Sequence, residues 1–289
     1  MNMMKCIAID MDGTLLNEMQ EVSRENIEAI QKAQQQGVTV VLATGRAYTG
    51  ALRPLERSGL TLPAICYNGA EIRNEDGSVL ASVSLQLDQV QQMKRTLEDN
   101  NIYYQVFTNN GIYTDDYEGT IKIIIGIMKN ANPDMTREEL VKGAEQQFED
   151  LKLIHVTDYN EVLEQPNIEV YKLLSFSKDP ALEKVREQID QIENVVVTTS
   201  GYNNLEINHQ NAQKGIALKN FTERKNIPLK QTMAVGDNYN DVSMFKAAGI
   251  SAAMGNAEEE IQKMCTFITK SNEEHGVAHA IEKFLADGK

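Results

Sequence analysis

The chain lacks several features that would point to particular classes of protein. Its 289 residues include no tryptophan, six prolines and three cysteines. Cys6, Cys66 and Cys265 are far apart, odd in number and without a CxxC pair, so a redox role is not expected. The expectation is instead that these are reduced, mostly buried thiols of a cytosolic protein.

Positive charge is also scarce, with 28 Lys and Arg against 42 Asp and Glu and a formal net charge of -14. Nucleic acids and anionic membranes would repel such a surface, so neither is expected as the main partner. No apolar run reaches the roughly 18 residues that a membrane helix needs. The first residues carry no signal-peptide pattern. The sequence therefore predicts a cytoplasmic protein, and it leaves the oligomeric state open.

What the chain does have is an alternation of short apolar runs and helical patterns at both ends. Residues 7–9, 38–43 and 64–67 are predicted strands, and residues 23–36 and 47–58 are predicted helices. The carboxyl-terminal part has the same order, with helices at 214–225, 239–247, 257–263 and 276–286 and strands at 232–236, 250–253 and 266–268. Strand and helix in alternation with short loops are typical of a parallel α/β sheet.

The middle of the chain has a different pattern, with longer helices and strands such as IYYQVF and IEVYKLLSF. Near its end, VVVTTS and NLEIN flank SGYN, which predicts an antiparallel hairpin with Gly201 in the turn. We therefore predict a doubly wound, Rossmann-like parallel-sheet core built from residues 1–83 and 209–289. An α+β domain, residues 84–208, is predicted to be inserted into it.

Four polar segments follow predicted core strands or precede a core helix. They are DMDGT at 10–14, TGR at 44–46, QKG at 213–215 and GDNYND at 236–241. In open parallel sheets, ligands bind outside the carboxyl ends of the strands. The four segments are therefore expected to meet at one edge of the sheet.

Such a meeting would crowd up to four carboxylates, those of Asp10, Asp12, Asp237 and Asp241. Unit charges roughly 4 Å apart repel by about 4 kcal/mol at an effective dielectric near 20. A divalent cation with oxygen ligands relieves this repulsion, and carboxylates with water suit Mg²⁺. Lys214, the Thr44 hydroxyl and loop N–H groups would then hold an anion. The combination predicts a phosphoryl site.

The spacing of the two leading acids suggests a division of labour. Successive extended residues point in opposite directions, so Asp10 and Asp12 are expected to project the same way. One carboxylate can attack phosphorus and form an aspartyl-phosphate. The other can protonate the leaving oxygen and then deprotonate the attacking water.

These motifs resemble those of the haloacid dehalogenase superfamily of phosphohydrolases. The resemblance is carried by DxDGT after an apolar strand, a threonine after the second strand, a lone lysine and GDxxND. An insert between the threonine and lysine motifs resembles the Cof-type branch, which has a large C2 cap. Supporting segments are ATGR at 43–46, YNGA at 67–70, MGNA at 254–257 and SNEEHGVA at 271–278.

The resemblance implies that Asp10 is the nucleophile and Asp12 the general acid and base. It implies a Mg²⁺ site formed by the carboxylates of Asp10 and Asp237, the main-chain carbonyl of Asp12, and Asp241. It also implies contacts to the phosphoryl group from Met11, Asp12, Thr44, Gly45, Lys214 and Asn240. One departure is visible, since the family usually has Gly-Val-Ser-Lys-Gly where this chain has NAQKG at 211–215.

Arg46, Asn68 and Lys172 are further candidates for contacts to the substrate. Arg46 could equally neutralise a substrate charge or brace its own loop, and Lys172 could equally be a solvated edge lysine. The sequence thus predicts a Mg²⁺-dependent phosphatase of a small phosphorylated metabolite, with sugar phosphates as the first class to test. A phosphomutase and a non-catalytic phospholigand sensor are the alternatives.

Overall fold

The computed structural model describes residues 5–177, 180–199 and 204–287. The strands are β1 (Cys6–Ile9), β2 (Thr39–Ala43), β3 (Ala64–Cys66), β4 (Glu71–Arg73), β5 (Val79–Ser82), β6 (Tyr103–Thr108), β7 (Gly111–Thr114), β8 (Leu153–His155), β9 (Val170–Phe176), β10 (Val195–Thr198), β11 (Asn204–His209), β12 (Thr232–Gly236), β13 (Ile250–Ala253) and β14 (Phe267–Ile268). The helices are α1 (Arg24–Gln35), α2 (Tyr48–Ser58), α3 (Leu87–Asp99), α4 (Tyr117–Ala131), α5 (Arg137–Asp150), α6 (Asn160–Leu163), α7 (Ala181–Ile189), α8 (Lys214–Arg224), α9 (Val242–Ala247), α10 (Glu259–Met264) and α11 (Gly276–Asp287). None of the helices in the described ranges is long and apolar enough to cross a membrane.

The chain divides into two compact units. The first combines Met1–Val83 with Asn211–Lys289, and the second is Ser84–Gln210. The predicted division at residues 83/84 and 208/209 lies within two residues of these bounds.

The first unit is built on an eight-stranded sheet with the order β14-β13-β12-β1-β2-β3-β4-β5. The strands from β14 to β3 are parallel, so the predicted doubly wound α/β fold is confirmed. Two antiparallel strands, β4 and β5, extend one edge and were not predicted. They are only three and four residues long, and β5 is largely exposed, so no extended apolar run marks them.

Local sequence explains the elements around the central strand β1. All four β1 residues are fully buried, as expected for an apolar run that neighbouring strands and helices cover on both faces. The helix α1 begins after Ser23, whose side chain accepts a hydrogen bond from the N–H of Asn26 at 3.3 Å. It ends before Gly37, whose φ of 79° is the left-handed conformation that glycine adopts without strain.

The second unit has a six-stranded sheet with the order β10-β11-β9-β6-β7-β8. All of its neighbouring pairs are antiparallel except β7 and β8. Apolar residues of α3 and α7 pack against this sheet, among them Val90, Met93, Leu97, Val185 and Ile189. The predicted antiparallel pairing of β10 with β11 is confirmed, whereas Gly201 in the predicted turn lies outside the described residues.

A glycine allows the close approach of α8 to α9 in the first unit. The N–H of Gly215 donates to the Ser243 hydroxyl at 3.0 Å. A Cβ atom at Gly215 would overlap the Ser243 carbonyl and would lie 2.9 Å from the main-chain nitrogen of Met244. Because Gly215 directly follows Lys214, this contact also fixes the position of the lysine backbone.

Replacing Gly215 by alanine is expected to destabilise the protein, because the methyl group would overlap the Ser243 carbonyl. Overpacking of this kind costs about 1–3 kcal/mol of unfolding free energy, which urea unfolding measures. Gly50→Ala is the matched control, since Gly50 lies inside α2 and its added Cβ would meet only the Arg46 Cβ, at 3.9 Å. That control is expected to be neutral or slightly stabilising. Equal losses in the two variants would contradict the proposed overlap.

Candidate active site

A buried lysine joins two carboxylates at the carboxyl end of the sheet. Asp10 directly follows β1, and its N–H donates to the Val235 carbonyl of β12 at 2.9 Å. Nζ of Lys214, the first residue of α8, lies 2.5 Å from Oδ1 of Asp10 and 2.7 Å from Oδ1 of Asp241. The Lys214 side chain is completely buried and that of Asp10 almost so. The three groups therefore form an ion triad with almost no contact with solvent.

Asp237 adds a third carboxylate beside the triad. One carboxylate oxygen from each of Asp10, Asp237 and Asp241 can be chosen so that all three lie within 4.8 Å of one another. Burial and the charge of Asp241 raise the pKa of Asp10 well above its usual range, although Lys214 opposes the shift. Burial and Asp241 likewise raise the pKa of Asp237 to about 6. One ammonium group does not balance three carboxylates, so the cluster has the charge and the oxygen donors to hold a divalent cation.

The pKa of the lysine is also raised, but at this group the shift favours the charged form. Burial alone would lower the pKa of Lys214, but the carboxylates of Asp10 and Asp241 outweigh it and raise the pKa. Lys214 is therefore protonated at any physiological pH. Asp241 is held in turn by the loop that precedes α9, because its Oδ2 accepts from the N–H groups of Asp237 at 2.9 Å and Asn238 at 3.0 Å.

The DMDGT segment leaves β1 in an irregular turn. N–H of Leu15 donates to the Asp10 carbonyl at 3.2 Å, and N–H of Leu16 donates to the Met11 carbonyl at 2.9 Å. Both bonds span five residues, and single π-type turns of this kind occur frequently at functional sites. Gly13 has a φ of 74°, and a Cβ there would overlap the Asp237 carboxylate. Glycine is therefore needed both for the backbone conformation and for the close approach.

Thr14 was not assigned a role from the sequence, although it belongs to the DxDGT motif. Its hydroxyl is fully buried and donates to Oδ1 of Asp237 at 2.9 Å. Thr14 therefore ties the turn after β1 to the acidic loop after β12.

Asp12 lies apart from the other three carboxylates. Its side chain is 52% exposed and pairs with the Arg46 guanidinium, with Nε 2.8 Å from Oδ2 and Nη2 bonded to Oδ1. The structure thus brings together three of the four predicted carboxylates, and Arg46 balances the charge of the fourth. The reason is that β1 ends at Ile9, so the chain does not remain extended through Asp12.

Arg46 braces its surroundings, which was one of its two predicted roles. Besides Asp12, its guanidinium donates to the Gln20 side chain and, at 3.5 Å, to the Gly50 carbonyl. A contact between Arg46 and a substrate stays a prediction.

Asn68 lies between two loops of the predicted phosphoryl site. Its N–H donates to the Thr44 carbonyl at 3.0 Å, and its Oδ1 accepts from Nδ2 of Asn240 at 3.2 Å. A Cβ at Gly45 would lie 3.0 Å from the same Oδ1. The structure therefore groups Thr44, Gly45, Asn68 and Asn240, and Met11 lies fully buried in the turn after β1.

The backbone at residues 67–69 is unusual. Tyr67, Asn68 and Gly69 have φ values of 51°, 60° and 112° in succession. Left-handed conformations cost free energy in residues other than glycine, and such strain tends to persist where the surrounding structure is functional. Here the strained turn places the Asn68 side chain between the loops.

Lys172 lies in the second unit, on β9. Its Nζ is 3.1 Å from Oε1 of Glu206 and 5.2 Å from the centre of the Phe107 ring, and both charged side chains are at least 94% buried. The alternative of a solvated edge lysine is wrong, because β9 lies between β11 and β6 inside the sheet. A contact between Lys172 and a substrate stays a prediction.

Comparison with known proteins gives matches over nearly the whole chain. The model of a haloacid dehalogenase-like hydrolase family matches residues 7–281. Phosphatase YwpJ of Bacillus subtilis (strain 168) is 36% identical over 285 residues, which are 98% of this chain and 100% of that protein. The 5-amino-6-(5-phospho-D-ribitylamino)uracil phosphatase YwtE of the same organism is 34% identical, with 98% and 99% covered. A solved structure of a haloacid dehalogenase-like hydrolase from B. subtilis has a TM-score of 0.86 at 36% identity, covering 96% of this chain and 99% of that one. The resemblance predicted from the motifs is confirmed.

Replacing Asp237 by asparagine is expected to stabilise the metal-free protein at neutral pH. The pKa of Asp237 is about 6 in the folded protein against an ordinary 3.8, so the unfolded chain loses this proton at lower pH than the folded chain does. The stabilising contribution of Asp237 is therefore complete below the unfolded-state pKa of 3.8 and is lost as the pH rises through the folded-state pKa of about 6. With allowance for solvent screening, we expect the variant to gain roughly 1–3 kcal/mol at about pH 7.5 and little at about pH 4.

Urea unfolding in EDTA at the two pH values measures this difference. Asp76→Asn is the matched control, because hydrogen bonds from Ser78 lower the pKa of the exposed Asp76. The pKa of Asp76 is shifted in the direction opposite to that of Asp237, so Asp76→Asn is not expected to raise the free energy of unfolding at neutral pH. A gain for Asp237→Asn that does not grow with pH would contradict the crowding of charges.

Replacing Glu206 by glutamine is expected to destabilise the protein by about 3–5 kcal/mol, because it removes the carboxylate that forms an ion pair with the buried Lys172 ammonium. The double variant Lys172→Met with Glu206→Gln is expected to recover most of this loss, since neither member of the pair is then charged. Urea unfolding compares the three proteins. Equal instability of the single and double variants would contradict a buried ion pair.

Proposed function

The chain belongs to the family of haloacid dehalogenase-like hydrolases and is a phosphatase enzyme, and we propose that it hydrolyses the phosphate monoester of a small metabolite through an aspartyl-phosphate on Asp10. The observation that carries this proposal is the buried ion triad of Lys214 with Asp10 and Asp241 beside Asp237. A buried cluster with excess negative charge is unfavourable for stability and suits the binding of a cation and a phosphoryl group.

The carboxylate cluster supports Mg²⁺ as the cofactor. Hard oxygen donors are the ligands that Mg²⁺ prefers, and the raised pKa values of Asp10 and Asp237 reflect burial and negative charge that Lys214 does not fully offset. The proposed ligands are the carboxylates of Asp10 and Asp237 and the carbonyl of Asp12, with Asp241 assisting. When bound, Mg²⁺ would neutralise charge on the phosphoryl oxygens.

In the proposed reaction, a carboxylate oxygen of Asp10 forms a bond to phosphorus while the bond from phosphorus to the leaving oxygen breaks. Asp12 gives its proton to that leaving oxygen, so the product departs as an alcohol. Asp12 then takes a proton from water, whose oxygen attacks the phosphorus of the aspartyl-phosphate. Phosphate leaves and the Asp10 carboxylate is restored. Lys214 holds the Asp10 carboxylate in place throughout.

The proposed phosphoryl contacts come from Met11, Thr44, Gly45, Lys214 and Asn240. Among the described residues, none donates a hydrogen bond to Oδ1 of Asn240, although this oxygen is buried. Buried polar atoms are rarely left without a partner, so a bound hydrogen-bond donor, such as a hydroxyl group or water, would satisfy this oxygen. The proposed contact to a phosphoryl oxygen would come from the Nδ2 group of Asn240, which is the donor of this side chain.

Sugar phosphates are the proposed substrate class, with phosphorylated cofactors next. The relative YwtE supports the first choice, because the substrate in its name carries a phosphate on a ribityl chain, which is a sugar alcohol. The inserted unit, Ser84–Gln210, is proposed to act as a cap that excludes water and selects the leaving group.

Phosphate release is expected from a panel of sugar phosphates and phosphorylated cofactors in the presence of Mg²⁺, and not in EDTA. Asp10→Asn is expected to lower kcat/KM by about 10³-fold or more, because no carboxylate remains to attack phosphorus. Asp76→Asn, on an exposed loop, is the matched control and is expected to keep wild-type activity. Release that persists in EDTA or in Asp10→Asn would contradict the proposal.

The two alternatives give different products in the same experiment. A phosphomutase would return the phosphoryl group to another hydroxyl, so an isomeric phosphate ester would form in place of free phosphate. A phospholigand sensor would bind a compound of the panel without converting it. The presence of Asp12 argues against the sensor, because binding alone does not require the second acid.

A further inference from the structure

Three asparagine side chains hold the turn that carries Asp12. Each donates from Nδ2 to a main-chain carbonyl of the turn: Asn256 to Gly13 at 2.9 Å, Asn26 to Leu15 at 3.4 Å, and Asn272 to Leu16 at 3.0 Å. None of the three was assigned a role from the sequence. Two of them, however, lie in the MGNA and SNEEHGVA segments, whose purpose the proposed function does not explain.

The two asparagines from these segments also bind each other. The N–H of Asn272 donates to Oδ1 of Asn256 at 3.0 Å, so both ends of the Asn256 amide are engaged. We call Asn256 and Asn272 the asparagine brace. Another hydrogen bond lies next to the brace in the sequence: the N–H of Glu18 donates to Oε1 of Glu273 at 2.6 Å.

Hydrogen bonds and close packing restrict the two loops that carry the brace. N–H of Gly255 donates to the Lys270 carbonyl at 2.9 Å, and a Cβ at Gly255 would lie only 2.9 Å from the main-chain nitrogen of Ser271. The Gln262 side chain donates to the carbonyls on both sides of Asn256, those of Gly255 at 3.1 Å and Ala257 at 2.9 Å. The two loops that carry the brace are therefore packed together closely.

The turn depends on such outside support. Asp12 and Gly13 have non-helical backbone angles, so regular helical hydrogen bonds do not hold them. Glycine has no side chain to restrict rotation, and the direction of the Gly13 carbonyl is thus set by its bond to Asn256. The Gly13 carbonyl belongs to the peptide between Gly13 and Thr14, so a change in its direction reaches the Asp12 backbone through the φ and ψ rotations of Gly13.

We propose that Asn256 and Asn272 are positioning residues that keep the Asp12 carboxylate in reach of the leaving-group oxygen. The inference rests on the proposed function of Asp12 as the general acid. Asp10 is anchored separately, by the β1–β12 pairing and by Lys214. Loss of the brace therefore affects proton donation by the Asp12 side chain more than nucleophilic attack, which depends on this turn only through the proposed contact of the Asp12 carbonyl with Mg²⁺.

If the brace acts on proton donation more than on nucleophilic attack, the loss of kcat/KM in its variants should depend on the leaving group of the ester. An alkyl phosphate needs a proton on its leaving oxygen as the P–O bond breaks, whereas p-nitrophenolate departs without one. The constant kcat/KM covers the steps up to departure of the leaving group, so it excludes the later hydrolysis of the aspartyl-phosphate. A displaced general acid lowers kcat/KM for the alkyl ester selectively, while a general loosening of the site lowers it for both.

The test compares Asn256→Asp and Asn272→Asp with wild type on a sugar phosphate from the panel and on p-nitrophenyl phosphate. Each change is isosteric and replaces the NH₂ donor by an oxygen that the carbonyl repels. We expect kcat/KM for the sugar phosphate to fall by about tenfold or more, part of the 10²–10⁴-fold that a general acid contributes. For p-nitrophenyl phosphate we expect a fall of less than about threefold.

Two further variants complete the test. Asn220→Asp introduces the same change on α8, where Oδ1 of Asn220 accepts a hydrogen bond from Arg224, and it is expected to keep both rates. In an Asp12→Asn background, Asn256→Asp is expected to change kcat/KM for the sugar phosphate by less than about twofold, because its effect passes through Asp12. Thermal unfolding of each variant verifies that the fold is intact.

Equal losses on the two substrates, unchanged rates, or a full additional loss in the Asp12→Asn background would overturn the role of the brace. Those results would not contradict the proposed phosphatase reaction. An Asp12→Asn variant with wild-type rates on both substrates would instead overturn the proposed role of Asp12, and the inference with it.

Discussion

The structure of the active site depends on the buried ammonium of Lys214 between the carboxylates of Asp10 and Asp241. Removing the lysine would leave the two buried carboxylates of Asp10 and Asp241 without a counter-charge, which is strongly destabilising. The triad also joins three elements that are distant in the sequence: the end of β1, the start of α8 and the loop before α9. With this junction in place, the first unit holds together although residues 84–210 interrupt its chain.

Two features beside this junction are unfavourable for the stability of the folded protein. Asp237 brings a third carboxylate that Lys214 does not balance, and the residues 67–69 adopt successive left-handed conformations. Sequences that fold well usually avoid both features, and real proteins tolerate them mainly where function requires them. The large apolar core of the first unit, including the fully buried β1, supplies the stability that offsets these features.

Much of the site was predictable because it follows a topological rule. Polar segments after parallel strands meet at one sheet edge, and this rule alone placed Asp10 near Asp237 and Asp241. The pairing of Asp12 with Arg46 was not predictable, because it depends on where a long side chain leaves an irregular turn. The hydrogen bond from Asn256 of the brace to Gly13 joins residues 243 positions apart, and no periodicity or spacing in the sequence indicates a side-chain contact of that kind.

Asp10 and Asp12, the two proposed catalytic acids, are held in different ways, and the difference suits their proposed tasks. Asp10 is almost completely buried, follows the central strand and contacts Lys214, so the direction of its carboxylate toward the proposed phosphoryl position is fixed. Asp12 is about half exposed and lies on a turn supported by side chains from other loops. The phosphoryl group is the same in every phosphate monoester, whereas the leaving oxygen belongs to an alcohol that differs between substrates. If Asp10 is the nucleophile and Asp12 the acid, as proposed, a fixed nucleophile beside a separately supported acid would allow one site to hydrolyse more than one ester.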